Sequence, residues 1–356
     1  MKKRILSVLM AAAMVTAVFS GCGSSNASSG SGTAAGSKSA LSKEGSEYTI
    51  IAGVSTPDNH PYALGLNKIG ELLDEKTEGA VCIDVFGNSQ LGNERDLIEG
   101  LQLGSVQMTC VSTAPLSGFT DMFLVFDLPF IFETTEQARA VMDSEVGEQI
   151  LHSVDEQGLV GLAWFENGFR NVTNNVRPIT VPDDLKGIKI RTMENQIHMA
   201  AFKAMGADPT PMAMGDVFTA LQQGTIDAEE NPIPIIETNK FGEVQKYLSM
   251  TGHLFSPAPV FISKDYYDAM PEEYQTAIKE AAAEATPYQR GQIDEQNVSG
   301  LESLKSAGME VNEVEKQPFK DATQVVYSEY VKDGASCVSP DLLNKVEEVV
   351  AQYPAE

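Results

Sequence analysis

Between residues 48 and 228 the chain alternates β-rich runs with amphipathic segments at helical spacing, several of them closed by glycine. Strands separated by helices are joined by crossovers, which makes them parallel and restricts the chain to α/β architectures. The runs at 48–54, 81–86, 106–111, 158–165, 188–191 and 225–228 are expected to be strands. The spacing of Leu66, Ile69, Leu72 and Leu73 predicts a helix over 62–75, and Leu97, Ile98 and Leu101 predict one over 93–103. Further helices are expected over 196–205 and 214–223, with a short capped turn over 181–187. Residues 271–307 form one long helical stretch with Pro287 as a kink, and 316–353 is largely helical. Gly79, Gly104, Gly206, Gly224 and Gly308 stand where helices should stop.

In open α/β sheets ligands bind beyond the carboxyl ends of strands. The residues expected at those ends are Ser55 and Thr56, Ser112 and Thr113, the run Glu166-Asn167-Gly168-Phe169-Arg170, Arg191 and Asn231. Arginine makes a planar, two-pronged bond to a carboxylate, and asparagine both donates and accepts. The set suits a small polyhydroxylated carboxylate. His60 sits at the mouth of the first loop, where it either caps the helix or bonds a ligand hydroxyl.

The ends of the chain are of a different kind. Lys2, Lys3 and Arg4 precede an apolar stretch over 5–19, too short for a stable membrane span, which marks 1–21 as a signal peptide. Phe19-Ser20-Gly21-Cys22 resembles a bacterial lipobox, so Cys22 is the expected lipidated N-terminus. Residues 23–46 hold nine Ser and five Gly, the composition of a flexible tether. The body beyond them, of about 310 residues, is long enough for two domains. The whole chain carries 25 Lys+Arg against 50 Asp+Glu, a formal charge of −25. Such an acidic chain lacks the basic footprint that nucleic acid or an anionic membrane surface would need.

Cys82, Cys110 and Cys337 show no metal or redox spacing, and the first two are expected as buried thiols. The sequence has no HExxH, no nucleophile elbow and no phosphate loop at a strand-to-helix turn. Glu229 and Glu230 are adjacent, and in a strand they would face opposite ways, a poor acid–base pair. A binding protein without cofactor or metal is expected, not an enzyme.

One stretch is more specific. It runs through Glu166-Asn167-Gly168-Phe169-Arg170-Asn171, Asp184-Leu185-Lys186-Gly187-Ile188-Lys189-Ile190-Arg191, Gly206-Ala207-Asp208-Pro209-Thr210-Pro211, Ala220-Leu221-Gln222-Gln223-Gly224-Thr225-Ile226-Asp227 and Glu230-Asn231-Pro232. In order and spacing it resembles the DctP-type solute-binding proteins of tripartite ATP-independent periplasmic (TRAP) transporters, from about residue 47 to the end. Asp227-Ala228-Glu229-Glu230-Asn231-Pro232 departs from the usual DGQENP pattern at Ala228 and Glu229.

The resemblance implies a two-lobed periplasmic-binding-protein-like fold, each lobe a mixed sheet flanked by helices, with the long helix across both. Lobe I would take 47–170 and be completed by C-terminal segments, lobe II would take 171–258, and 259–356 would hold a crossover strand, the long helix and the C-terminal helices. It implies that Arg191 bonds the ligand carboxylate, that Asn231 holds the same group and that Arg170 lines the cleft. Met214 would pack on the ligand body, while Glu94, Ser112, Ser55, Glu194 and Asn195 would contribute from the loops. The expected partners are a membrane permease, a lipid anchor through Cys22 and a hydroxylated sugar acid such as a hexuronate or aldonate. The alternatives are a C4-dicarboxylate or keto acid as ligand, and a sensor lipoprotein on the same scaffold.

Overall fold

The computed structural model describes residues 45–355. The leader, Cys22 and the tether up to residue 44 lie outside the described residues, and the expectations placed on them are not addressed by the structure.

The strands are β1 (Tyr48–Gly53), β2 (Val81–Phe86), β3 (Met108–Cys110), β4 (Leu159–Asn174), β5 (Lys189–Thr192), β6 (Asp208–Pro211), β7 (Ala228–Asn231), β8 (Tyr247–Ser263) and β9 (Glu310–Glu313). They form one sheet in the order β2-β1-β3-β8-β4-β7-β5-β6, with β9 added beside β8. The helices are α1 (Pro61–Lys76), α2 (Glu94–Leu103), α3 (Thr135–Met142), α4 (Glu145–Leu151), α5 (Gln196–Ala204), α6 (Met214–Gln222), α7 (Ile233–Thr238), α8 (Lys264–Asp268), α9 (Glu272–Ser306), α10 (Gln317–Tyr330) and α11 (Pro340–Val350).

Each end of the sheet is parallel, as the alternation requires: β1 pairs with β2 and β3, and β5 with β6 and β7. The middle is antiparallel. β4 and β8 pair along their whole lengths, from Leu159 opposite Ser263 to Asn174 opposite Tyr247. β8 then pairs β3 at one end of the sheet, and β4 pairs β7 at the other. These two long strands connect the two halves.

Two sequence expectations are corrected here. β4 does not stop at residue 165 but continues through the polar run to Asn174. The strand expected at 225–228 lies instead at Ala228–Asn231. The C-terminal stretch is largely helical as expected, in two pieces, α10 and α11. In both corrected cases a polar sequence sits in a buried strand because tertiary partners satisfy its side chains, overriding local propensity.

β4 is interrupted by register shifts at Gly161/Ala163, Glu166/Gly168 and Arg170/Val172. At the second, Gly168 takes φ +101°, a left-handed backbone that disfavours other residues. The strand loses ladder partners there, and Gln289 of α9 replaces them. Its amide accepts from Glu166 N at 3.0 Å and donates to Glu166 O at 2.6 Å. α9 is therefore bonded to the bulge between the halves. Its Ala277, Ala281, Ala282 and Ala285 are buried in the core shared with α1 and β1, and farther along it packs on α7. Pro287 lies within this helix without ending it. Gly65 of α1 fits close against Phe165, whose ring would lie 2.4 Å from any Cβ added there.

Candidate functional site

The register of β4 and β7 sets Asn171 opposite Asn231 and Val172 opposite Glu230. Arg170, beside the third bulge, is thereby brought to the end of β7. Its guanidinium is fully buried. Nε donates to Glu230 Oε2 at 2.6 Å, and Nη2 donates to Glu230 Oε1 at 2.9 Å and to Asn231 Oδ1 at 3.0 Å. His253 of β8 bonds the same carboxylate, Nε2 to Oε2 at 3.0 Å. Burial pushes the Glu230 carboxyl up, but Arg170 and His253 outweigh it and hold it well below the usual carboxylate range. Glu230 is therefore the counter-ion of Arg170.

Arg191, in β5, is differently placed. It is 2% exposed, and its Nε donates to Met212 O at 2.8 Å. Among the described residues no carboxylate is bonded to it, and its Nη1 has no hydrogen-bond partner. Burial and the repulsion of Arg170 lower its pKa. Nη1 of Arg170 is likewise unpartnered. Two buried guanidiniums thus keep donors unspent, and only one has a counter-ion. A buried cation without an anion is costly, and an anionic ligand removes that cost.

A cavity of about 120 Å³ is lined by Arg191, Glu194, Met214 and Glu94. Four of the residues singled out in the sequence meet there from both halves of the sheet. Glu94 is the first residue of α2 and accepts from Ser112 N at 2.7 Å, which fixes both. Met214 opens α6, and Glu194 is exposed at the rim.

A second group comes from the first half. His60 is the N-cap of α1 and is fully buried, its Nδ1 accepting from Tyr62 N at 3.2 Å. With Nδ1 an acceptor, the ring proton of the neutral imidazole is on Nε2. Burial, against a weaker opposing bond toward Asn167, lowers the pKa of His60 to about 3, so the ring is neutral. His60 Nε2, Tyr62 Oη, Asn167 Oδ1 and Thr56 Oγ1 are all buried short of a well-formed hydrogen bond, with His60 lying against Asn167 and Tyr62 against Ser112. Tyr62 lies within electrostatic range of both Arg170 and Glu94, which ties this group to the arginines. Buried polar atoms are nearly always bonded, so a concentration of unbonded ones calls for a polar ligand.

One sequence candidate has other work. Every polar group of the Asn195 side chain is used within the protein. Oδ1 accepts from Ile197 N and His198 N as the cap of α5, and Nδ2 donates to Asp127 Oδ2 and Ala114 O. Ser55 is buried in the turn after β1, where its carbonyl accepts from Ser89 Oγ. Tyr62 was not singled out by the sequence, because the first residues of a helix read as core or cap. Glu229 and Glu230, adjacent in the sequence, are both buried. The alternation of a strand separates their directions, and only the three-dimensional partners give each its role.

Residues 52–333 match the family described as bacterial extracellular solute-binding protein, family 7, or DctP. The chain is 37% identical over 320 residues to the 2,3-diketo-L-gulonate-binding periplasmic protein YiaO of Escherichia coli K12, covering 89% of this chain and 96% of that one. It is 38% identical over 257 residues to the C4-dicarboxylate-binding periplasmic protein DctP of Rhodobacter capsulatus, covering 72% and 76%. Among solved structures, a TRAP periplasmic solute-binding protein from Polaromonas sp. JS666 bound to D-erythronate superposes with a TM-score of 0.82 at 38% identity. That match covers 85% of this chain and 98% of the other. The chain belongs to the DctP family and is an extracytoplasmic solute-binding protein of the TRAP type.

Proposed function

We propose that this protein captures a hydroxylated sugar acid, an aldonate or uronate, and presents it to a TRAP permease without turning it over. The observation that carries the proposal is the buried Arg191, a cation without a counter-ion whose Nη1 is unspent. The carboxylate is placed on Arg191 Nη1 and Arg170 Nη1, with Asn231 Nδ2 as a further donor. The ligand body rests on Met214. The hydroxylated end reaches His60, Tyr62 and Asn167.

The second half of the site separates sugar acids from dicarboxylates. His60 Nε2–H and Asn167 Oδ1 face each other, so a ligand group that comes between them must accept from the first and donate to the second. A hydroxyl satisfies both. A second carboxylate donates nothing, and the neutral His60 offers it no charge. Nor is Arg170 a spare cation for a dicarboxylate, since Glu230 already neutralises it. The relatives that bind diketogulonate and D-erythronate fit this chemistry.

The remaining parts of the reading concern the whole protein. Lobe I is read as 47–170 with C-terminal completion and lobe II as 171–258, closing about the crossing of β4 and β8 as ligand contacts favour the closed state. Cys22 is read as the lipid anchor. A mass spectrum of the N-terminal peptide from membranes, showing a diacylated cysteine or an unmodified one, decides that point.

The ligand is tested by thermal shift on the purified body, residues 45–356. The panel is D-erythronate, other aldonates, uronates, 2,3-diketo-L-gulonate, succinate and the matched neutral sugars. A ligand at a hundredfold excess over its Kd should add about 2.7 kcal/mol of stability. Stabilisation by a sugar acid and not by its neutral parent or succinate supports the reading. Stabilisation by succinate alone overturns the hydroxyl assignment, and stabilisation by neutral sugars equally overturns the arginine clamp.

A further inference from the structure

Glu229 is wholly buried, and among the described residues no cation is bonded to it. Its Oε2 accepts from Asn231 Nδ2 at 2.6 Å. The orientation of that amide is set by its other end, because Asn231 Oδ1 accepts from Arg170 Nη2. Its Oε1 lies 2.6 Å from Thr173 Oγ1, and Thr173 Oγ1 lies 3.1 Å from Gln245 Oε1. The amide of Gln245 is oriented in turn, since Nε2 donates to Val244 O at 3.0 Å.

The hydrogens in this chain can be counted. Thr173 has one hydroxyl hydrogen and faces two oxygens, Glu229 Oε1 and Gln245 Oε1. If Glu229 is ionised, the Thr173 hydrogen serves one of them and the other contact is oxygen against oxygen. If Glu229 carries a proton on Oε1, it donates to Thr173 and Thr173 donates to Gln245. Only the neutral acid completes every bond, and it keeps Oε2 free to accept from Asn231.

The charges say why the proton would come and go. Glu229 is faced by Glu230 on its own strand, Arg170 on β4, Arg191 on β5 and, beyond Glu230, His253 on β8; Glu94 of α2 faces Arg191 from the other half. Arg170 and Glu230 cancel. Without a ligand, an ionised Glu229 adds to the attraction that Glu230 and Glu94 exert on Arg191. With an anion on Arg191, an ionised Glu229 becomes a surplus buried negative charge.

We propose that Glu229 is a proton-linked positioning residue: as the ligand carboxylate engages Arg191 and Asn231, Glu229 takes up one proton from solvent. The neutral acid then holds the Asn231 amide with one Nδ2 hydrogen turned to the ligand. This rests on the anion-binding reading above. Burial, partly offset by the bonds from Thr173 and Asn231, already pushes the carboxyl to about 7 in the ligand-free protein. A bound anion raises it further. Affinity should level off below pH 7 and fall above it, by up to about tenfold per pH unit.

The test is calorimetric titration with the best sugar acid of the panel, at pH 6 to 9 in buffers of different ionisation enthalpy. Wild type should take up close to one proton near pH 8, and its Kd should rise with pH. Glu229→Gln, which mimics the neutral acid, should take up none from this group and show a flat profile. The same slope and proton count in Glu229→Gln, or no uptake by wild type, overturns the proposal. Infrared difference spectra of the ligand-free protein separate this from a failure of the ligand reading. A protonated-carboxyl band that titrates near neutral pH in wild type and is missing in Glu229→Gln supports the proposal even if no panel acid binds. Absence of that band overturns it.

Discussion

The guanidinium of Arg170 and the carboxylate of Glu230 form a fully buried two-pronged ion pair, Nε to Oε2 at 2.6 Å and Nη2 to Oε1 at 2.9 Å. The pair bridges β4 and β7. It fixes the shape of the site by holding one arginine still and neutral overall. It leaves the second arginine, Arg191, without a bonded carboxylate among the described residues, which the proposed ligand would supply.

Removing Glu230 should be severe. Glu230→Gln leaves Arg170 as an uncompensated buried charge, at a cost of about 3–5 kcal/mol in urea unfolding. The pH dependence has a definite sign. The folded pKa of Glu230 lies below its unfolded value of about 4.3. Its contribution is therefore full above that value and is lost as pH falls through the acid range. Glu230→Gln should lose this acid-limb component, and an unchanged acid limb would remove Glu230 from the account.

His60 gives a second pH signature. Its pKa is about 3 folded and about 6.5 unfolded, so between these values the unfolded chain binds the extra proton. Stability should fall as pH drops below about 6.5, by at most about 1.4 kcal/mol per unit from this group. His60→Asn preserves a capping acceptor for α1 and removes the titration. Unfolding curves at pH 4 to 7 should show the wild-type slope reduced in that variant.

The parallel ends of the sheet were legible in the sequence because there local pattern and tertiary environment agree. Leu66, Ile69 and Leu73 all lie on the buried face of α1 that their spacing predicts. The centre was not legible in the same way. Glu166, Asn167, Arg170, Asn171, Thr173 and Asn174 form no alternating apolar face, yet all are buried in β4. What makes them a strand is far away in sequence: Arg139 on Glu166, Gln289 on the bulge, Glu230 on Arg170. Arg191 and Asn231 stand out in the sequence through motif order, while Tyr62 and Glu229 stand out only through their partners in the fold. Asn195 shows the converse: its place after the arginine strand suggested a ligand contact, and its hydrogen bonds make it a helix cap.

That assignment is testable. Asn195→Ala removes the cap of α5 and one partner of buried Asp127, and should lower stability by about 1–2 kcal/mol. The loss should appear in unfolding, with the order of preference among the panel acids retained. A changed order of preference would return Asn195 to the site.

Arg191 carries the opposite expectation to Glu230. It is a buried cation without a counter-ion, so replacing it with an apolar side chain of similar length relieves the ligand-free protein. Arg191→Met should leave the free protein at least as stable as wild type by urea unfolding. It should also weaken binding of the sugar acid by about 2–5 kcal/mol, measured by calorimetry. Arg191→Lys should not restore the affinity, since an ammonium cannot donate to Met212 O and a carboxylate with the same planar geometry. A destabilised Arg191→Met that still binds would mean that the guanidinium serves the fold and not the ligand. A protein stabilised by the loss of this buried cation, and disabled by it, would show that Arg191 is kept at a cost to the fold for the sake of the anion.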